Sequence, residues 1–147
     1  GEFRPADQRQ SVVNIGGITV LDDSYNANPL SMEMAFRSAK QIAGNHYFLV
    51  LGDMGELGRF EEKLHYETGV KAGKIGFDGL ITVGPLSRFL AKGAEEAGMK
   101  TVMTCDTCEE AAEKLMKMAA PGDVVLVKGS HYMHMERIPA VLRGEKA

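Results

Sequence analysis

Three short segments of this sequence concentrate side chains that can bind ligands, and each follows an apolar run. Residues 22–29 contain two adjacent carboxylates, a hydroxyl, a phenol and two side-chain amides. Residues 52–58 combine three glycines with two carboxylates, and residues 128–131 have the sequence Lys-Gly-Ser-His. A connection between two elements needs few such groups, and binding residues are often carried on loops. The three segments therefore predict a binding site.

Residues 22–29 have the chemistry to bind a nucleotide. A carboxylate at the end of a strand can accept hydrogen bonds from two ribose hydroxyls, and the amides of Asn26 and Asn28 can address a base or a phosphate. A structural alternative exists, in which Asn28 is a helix N-cap and Pro29 occupies the first helical position. Capping accounts for one or two of these residues, so we also predict a binding role.

The glycine-rich segment 52–58 is a poor phosphate site because it carries Asp53 and Glu56. Two carboxylates placed against a phosphate would cost Coulomb energy. The segment better suits an ammonium group, a metal ion or a basic residue of a partner. Glu56 could instead be an acid at the start of a helix, where the helix dipole favours it.

The segment 128–131 suits an anion. Lys128 supplies a cation, and Ser130 precedes a predicted helix whose first N–H groups could bind a carboxylate or a phosphate. The alternative is an exposed lysine followed by Ser130 as an N-cap. The sequence contains neither G-x-x-x-x-G-K-[ST] nor G-x-G-x-x-G. If this chain meets ATP, another domain must hold the phosphates.

Cys105 and Cys108 form a single C-x-x-C, which is the spacing of a redox pair or of half a metal site. The neighbouring acids Asp106 and Glu109 would oppose a thiolate, and a metal would need two further ligands. We therefore expect reduced thiols and no metal site. His65 lies inside a predicted helix, where a lone histidine usually has a structural role.

Apolar runs that alternate with amphipathic segments predict strands alternating with helices. Gly16 and Gly17 separate the first two strands and suit a tight hairpin, because both tolerate positive φ. The other strands are almost continuously apolar, which is typical of a parallel sheet covered on both faces. We predict an α/β fold, a Rossmann-like three-layer sandwich whose mostly parallel sheet begins with an antiparallel hairpin and carries helices on both faces.

The carboxyl ends of parallel strands are where ligands gather in such folds, so we expect the three segments to meet there. The predicted strands cover residues 12–15, 18–21, 47–51, 79–83, 101–104 and 123–127. The first three predicted helices run from Pro29 to near Gly44, from about Phe60 to Lys74, and from Pro85 to Ala97. In the third of these, Leu86, Phe89 and Leu90 are predicted to point inward. The fourth helix should start at a capping box formed by Thr107 and Glu110, and the fifth should contain Met135, Ile138 and Leu142.

The 147 residues fit one domain large enough to bury a core. The formal net charge of -3 argues against a nucleic-acid binder, whose surface would be basic. No apolar run approaches the length of a membrane span, and no signal peptide opens the chain, so we expect a cytoplasmic protein. The chain begins at Gly1 without an initiator Met, and we expect it to be a piece of a longer protein.

Taken together, the three segments resemble the C-terminal domain of the Mur ligases. The resemblance rests on three motifs in order: Leu-Asp-Asp-Ser-Tyr-Asn-Ala-Asn-Pro at residues 21–29, Leu-Gly-Asp-Met-Gly-Glu-Leu-Gly at residues 51–58 followed by His65, and Val-Lys-Gly-Ser at residues 127–130 followed by Met135-Glu136. The similarity runs from about Arg9 to Leu142. Three concordant motifs of this length make chance resemblance a poor explanation.

The resemblance implies the last domain of a three-domain ligase of the bacterial cytoplasm, monomeric and active in peptidoglycan precursor synthesis. The first motif is most similar to ligases that add D-Ala-D-Ala to UDP-N-acetylmuramoyl-tripeptide. In that reaction ATP phosphorylates the peptide's carboxylate to an acyl phosphate, which the dipeptide's amine attacks. The other domains would hold the UDP-sugar peptide and the ATP phosphates with Mg²⁺. No complete catalytic centre is expected in this domain.

The resemblance also implies roles for particular residues on the nucleotide side. Arg9 matches an arginine that reaches the ATP phosphate, and Asp23 matches an aspartate that binds ribose. Asn26 and Asn28 belong to the same nucleotide-facing turn.

For the dipeptide side we predict that Asp53 and Glu56 bind its ammonium group and that Lys128 with Ser130 binds its carboxylate. His131 stands where the family commonly has arginine, which removes a permanent bidentate cation from that position.

Pro139 is expected to interrupt the last helix, where relatives would continue it.

Two alternatives remain open. A sister ligase of the folylpolyglutamate synthetase type would share the architecture but lack the Asp-Ser-Tyr-Asn-Ala-Asn sequence. A free-standing nucleotide-binding module would have no chemistry of its own and no longer gene product with a phosphate-binding loop.

Overall fold

Six strands and five helices alternate along the residues that the computed structural model describes, 11–24 and 26–144. The strands are β1 (Ser11–Ile15), β2 (Ile18–Asp23), β3 (Tyr47–Gly52), β4 (Gly79–Val83), β5 (Val102–Cys105) and β6 (Val124–Lys128). The helices are α1 (Pro29–Lys40), α2 (Glu61–Ile75), α3 (Ser87–Glu96), α4 (Cys108–Met118) and α5 (Arg137–Leu142). Short 3-10 turns cover Gly58–Phe60 and His131–Met133. The predicted order of elements is confirmed.

The strands form one sheet in the order β1-β2-β6-β3-β4-β5, and among the described strands only β1 and β2 are antiparallel. The turn between β1 and β2 consists of Gly16 and Gly17, with φ of 60° and 90°. Most residues that carry a side chain would have a strained backbone at these positive φ angles, whereas glycine adopts them freely, which is why the two glycines fix the hairpin. The predicted hairpin on a parallel sheet is confirmed.

Helices cover both faces of the sheet and bury two separate apolar layers. Leu49 and Leu126 face the layer that includes residues of α1, α2 and α3. Val50 and Val125 face the opposite layer, which includes residues of α4 and α5. Because successive side chains of a strand point to opposite faces, the apolar strand sequences fill both layers at once. The three-layer α/β sandwich is therefore confirmed.

Local capping signals placed two helix starts correctly. Asn28 precedes α1 and exchanges hydrogen bonds with Ser31, and Thr107 precedes α4 and does the same with Glu110. Each pair satisfies backbone N–H groups that the first helical turn leaves unpaired. The first helix ends at Lys40, however, earlier than the predicted end near Gly44.

Two expectations about the helices, one about the face of α3 and one about the continuity of α5, were wrong. Phe89 in α3 is 36% exposed, although it was predicted to point inward. The buried face of α3 includes Leu90 and Ala94. Neighbouring residues of a helix are about 100° apart around its axis, so Phe89 points outward.

Pro139 does not interrupt α5. It is the third residue of that helix, where a backbone N–H has no intrahelical acceptor and its absence costs nothing.

Helices α2 and α3 approach each other through two glycines. A Cβ atom on Gly69 would lie 1.9 Å from the backbone oxygen of Leu90, and one on Gly93 would lie 2.1 Å from the backbone oxygen of Tyr66. Both distances are far below van der Waals contact with rigid backbone atoms. The close approach of the two helices therefore requires glycine at both positions.

We predict that Gly69→Ala destabilises the protein despite alanine's better helix propensity. Alanine gains about 1 kcal/mol in a helix, but separating packed helices costs roughly 1–3 kcal/mol or more, and a 1.9 Å contact with a backbone oxygen falls at the costly end. Urea unfolding should give a lower free energy of unfolding. Ser38→Ala, at an exposed position of α1, is the control and should change it little. A Gly69→Ala protein at least as stable as wild type would contradict the prediction.

Candidate functional site

The three polar segments meet at one edge of the sheet, as the sequence predicted. Strand β6 lies between β2 and β3, so that Lys128 is the register partner of Asp23 on one side and of Leu51 on the other. All three strands are parallel and end at this edge. The loops that follow them are therefore neighbours in space although they are distant in sequence.

Lys128 crosses from β6 to the first loop. Its Nζ lies 2.9 Å from Oδ2 of Asp23 and donates to the backbone oxygen of Asn26 at 2.8 Å. The Lys128 side chain is 2% exposed, so the alternative of an exposed lysine is wrong. A buried ammonium needs charged and hydrogen-bonding partners, and these two supply them. A contact between Lys128 and a dipeptide carboxylate stays a prediction.

The turn after β2 is fixed by its own amide side chains. The Asn28 Oδ1 atom accepts from the Ser31 N–H at 2.9 Å, and the Asn28 N–H donates to the Ser31 hydroxyl at 3.0 Å. The capping alternative for Asn28 is thus confirmed, with Pro29 as the first helical residue. The Asn26 Oδ1 atom accepts from the Ala27 N–H at 2.9 Å. Asn26 and Asn28 are both exposed, and their predicted contacts with a nucleotide stay predictions.

Adjacent carboxylates at the end of β2 lie on opposite faces of the sheet. Asp23 points toward Lys128, whereas Asp22 lies near Glu136 and Arg143. Burial raises the pKa of Asp22 above its ordinary value, a hydrogen bond with Ser24 opposes this shift, and the Glu136 charge adds to it. Two neighbouring acids of the same type therefore have different environments, and only Asp23 belongs to the three-loop edge.

Asp53 is buried beneath the second loop and caps helix α3. Its Oδ1 accepts from the N–H and from the hydroxyl of Ser87, both at 2.7 Å, and its Oδ2 accepts from the Leu86 N–H at 3.3 Å. Its side chain packs so closely on Gly84 that a Cβ there would lie 2.6 Å from it. A carboxylate at a helix N-terminus is favoured by the free N–H groups and the helix dipole. Its predicted contact with an ammonium group stays a prediction.

His65 holds the same loop to helix α2. The Met54 N–H donates to His65 Nε2 at 2.9 Å, and His65 Nδ1 lies 2.7 Å from the backbone oxygen of Glu61. Since Nε2 accepts, the ring proton is on Nδ1 and the imidazole is neutral. The side chain is fully buried. The structural role expected for His65 is confirmed, and it acts on a loop of the candidate site.

Ser130 links the second loop to the third. The Gly55 N–H donates to the Ser130 hydroxyl at 2.6 Å, and the Ser130 N–H donates to the backbone oxygen of Asp53 at 3.0 Å. Ser130 occupies the N-cap position of the 3-10 turn that follows, as the structural alternative had it, but its hydroxyl makes no capping bond there. Two hydrogen bonds in opposite directions fix the spacing of the two loops.

Glu56 is exposed at the tip of the second loop and has a positive φ of 59°. Helix α2 begins only at Glu61, and the acids of its first turn are Glu61 and Glu62. The alternative of Glu56 as a helix-start acid is therefore wrong.

A cleft of about 580 Å³ opens between the three loops. Its charged and aromatic wall consists of Glu56, Glu61, His131 and Tyr132, and no Lys or Arg is among the described residues that line it. Burial, followed by the charges of Asp53 and Glu61, raises the pKa of the Tyr132 phenol, which is therefore protonated at neutral pH and can donate a hydrogen bond. This wall is complementary to a cation such as a primary ammonium.

The sequence did not reveal every residue of the cleft. It indicated Asn26, Asn28, Glu56, Ser130 and His131, all of which line the cleft. It missed Tyr132, Glu61 and Leu86, together with the apolar residues Met54 and Leu57. Asp23, Asp53 and Lys128 lie beside or beneath it, and Arg9 is outside the described residues.

Both cysteines are free, as expected, and both are buried. The Cys108 thiol lies 3.6 Å from the backbone oxygen of Met133 and 3.7 Å from that of His134, and burial raises its pKa to about 11. Burial also raises the pKa of Cys105. A reactive redox pair needs the opposite shift, so the C-x-x-C has a packing role in the apolar layer beneath α4 and α5.

Residues 11–24 and 26–144 contain no group of three His, Cys, Asp or Glu side chains that could hold a metal ion. Over the same residues, no helix has both the length and the apolar character needed to cross a membrane.

Comparison with known proteins gave consistent matches. Residues 8–131 match the family model of the Mur ligase, glutamate ligase domain. The UDP-N-acetylmuramoyl-tripeptide–D-alanyl-D-alanine ligase of Bacillus subtilis (strain 168) is 35% identical over 124 residues, which cover 83% of this chain and 27% of that protein. The chain thus spans about a quarter of the length of this curated relative.

Solved structures agree with these matches. The MurF ligase from Thermotoga maritima in complex with ADP superposes with a TM-score of 0.80 and 27% identity, over 93% of this chain and 30% of that one. A crystal structure of MurF from Acinetobacter baumannii also has a TM-score of 0.80, with 29% identity over 93% of this chain and 30% of that one.

We predict that Asp53→Ala lowers the free energy of unfolding by about 2 kcal/mol, because it leaves buried N–H groups at the start of α3 without an acceptor. Glu56→Gln, which alters an exposed acid of the same loop, is the control and should leave stability nearly unchanged. Urea denaturation measures both. Equal stability of Asp53→Ala and wild type would show that the carboxylate is not needed as a cap.

We predict that Cys108 is almost inert toward alkylation in the native state. A thiol with a pKa of about 11 is ionised to roughly one part in a thousand at pH 8, and only the thiolate reacts. Iodoacetamide labelling followed by mass spectrometry should modify Cys108 slowly in buffer and rapidly in denaturant. Rapid native labelling at pH 8 would contradict the burial described above.

Proposed function

The chain belongs to the Mur ligase family, and from that premise we propose that it is the C-terminal domain of an ATP-dependent ligase that adds D-Ala-D-Ala to UDP-N-acetylmuramoyl-tripeptide through an acyl phosphate. The observation that carries the proposal is the 35% identity, over 83% of this chain, to a Bacillus subtilis ligase named for that reaction. The remaining domains of a longer protein would hold the UDP-sugar peptide and the ATP phosphates.

The nucleotide side of the proposed site is the end of β2. Asp23 would accept hydrogen bonds from ribose hydroxyls, since a carboxylate has about four acceptor positions and the Lys128 ammonium contacts only Oδ2. Asn26 and Asn28 are exposed in the turn that follows and would contact the nucleotide from there. Arg9 would reach the ATP phosphate.

The amine side is the acidic cleft. Glu56 is exposed and lines it, and we propose that Glu56 binds the dipeptide's ammonium group. Asp53 would add to this charge from beneath the loop, and it could contact the ligand directly only by releasing the start of α3. Ser130 and His131 line the same cleft and would face the dipeptide's carboxylate.

The role that we propose for this chain follows from the side chains at its carboxyl edge. ATP would act with Mg²⁺, which would neutralise charge at the phosphates, and the other domains would hold that ion, since the described residues contain no cluster of three His, Cys, Asp or Glu side chains that could bind it. The chain itself would bind and orient the amine and exclude water when the domains close. We propose that the isolated chain is inactive and that the complete enzyme is a cytoplasmic monomer of peptidoglycan precursor synthesis.

The complete gene product should release ADP and form an amide only when UDP-N-acetylmuramoyl-tripeptide, ATP and D-Ala-D-Ala are all present, and residues 1–147 alone should not. In the complete enzyme, Glu56→Gln should raise the KM for D-Ala-D-Ala by about tenfold, the loss expected for one charged hydrogen bond, and leave the KM for ATP unchanged.

Liquid chromatography of the nucleotide and peptide products measures both effects. Turnover with glutamate in place of D-Ala-D-Ala would favour the sister ligase. Nucleotide binding without turnover, in a gene product that lacks a phosphate-binding loop, would favour the free-standing module.

A further inference from the structure

We propose that Lys128 is a positioning residue for the nucleotide side, and that this role replaces the contact with the dipeptide carboxylate predicted from the sequence. Its buried ammonium would hold the Asp23 carboxylate and the Asn26 backbone oxygen in the arrangement that a ribose needs. The inference rests on the proposed function, in which Asp23 contacts the nucleotide. Lys128 would thus act on the nucleotide side, although it lies at the start of a loop that lines the acidic cleft.

Within residues 11–24 and 26–144, the hydrogen-bond and ion-pair partners of the Lys128 ammonium group lie on the nucleotide side. Nζ of Lys128 is 2.9 Å from Oδ2 of Asp23 and 2.8 Å from the oxygen of Asn26, and both partners belong to β2 or to the turn that follows it. Lys128 is not among the residues that line the acidic cleft. With its side chain 2% exposed, it has no surface to offer a ligand in that cleft.

Binding a substrate carboxylate would require Lys128 to leave Asp23. The Asp23 side chain is only 16% exposed, so the exchange would leave a largely buried carboxylate without its cation. An uncompensated buried charge is costly, whereas a ribose hydroxyl can share the carboxylate with the ammonium at no such cost. The geometry therefore favours joint use of Asp23 by Lys128 and a ribose.

The same contacts explain why position 128 matters for the shape of the turn. The turn after β2 ends at Asn28, which caps α1. The backbone oxygen of Asn26 accepts a hydrogen bond from the Lys128 ammonium group. Loss of the ammonium removes the second attachment and frees the Asp23 carboxylate to rotate, while the cap on α1 remains.

The experiment uses the complete gene product with Lys128→Met, Asp23→Asn and the double variant, and with Lys92→Met as the control at an exposed lysine of α3. Lys128→Met should raise the KM for ATP about tenfold and change the KM for D-Ala-D-Ala less than twofold. In the Asp23→Asn background, Lys128→Met should add no further increase in the KM for ATP, because Lys128 acts through Asp23. Lys92→Met should leave both constants unchanged.

A rise in the KM for D-Ala-D-Ala with an unchanged KM for ATP would overturn the inference and assign Lys128 to the substrate carboxylate. Additive effects of the two substitutions on the KM for ATP would also overturn it. If Lys128→Met fails to fold by circular dichroism, Lys128→Gln, which keeps a donor without the charge, carries the same comparison.

Calorimetric titration with ADP separates this inference from the proposed function. Absence of D-Ala-D-Ala-dependent turnover in the wild-type enzyme would refute the proposed function alone. Weaker ADP binding by Lys128→Met than by wild type, with no further loss in the Asp23→Asn background, would still support the positioning role. Equal ADP affinity of wild type and Lys128→Met would refute it.

Discussion

A buried ammonium group determines how the carboxyl edge of this sheet is arranged. Lys128 ends the central strand β6 with its side chain 2% exposed, and breaking a buried ion pair costs about 3–5 kcal/mol when one charge is left alone. Asp23 must therefore stay at the end of β2, and the turn after it must present a backbone oxygen. The position of the first loop follows from the need to satisfy this one charge.

The other two loops are tied to the same edge by neutral hydrogen bonds. Ser130, two residues after Lys128, accepts from Gly55 and donates to the backbone of Asp53. His65 accepts from Met54 and connects that loop to α2. The walls of the cleft are thus fixed by hydrogen bonds that join the loop after β3 to the residues after β6 and to helix α2.

Several residues that look like ligands in the sequence are first of all structural partners. Asp53 caps α3, Asn28 caps α1, and Lys128 pairs with Asp23. Polar groups at the end of a buried strand must be satisfied whether or not a ligand is bound. Residue type alone therefore does not separate a ligand contact from a structural partner.

Sequence alone determined the α/β class, the order of the strands and helices, the hairpin at Gly16–Gly17 and the three polar segments, because hydrophobic period, capping pairs and turn glycines act between near neighbours. It did not determine the partners of the polar side chains. Lys128 and the Asn26 oxygen are 102 positions apart, and they meet only because β6 inserts between β2 and β3. Strand order and register, set by packing across the whole sheet, decided which acid neutralises the lysine and which lines the cleft.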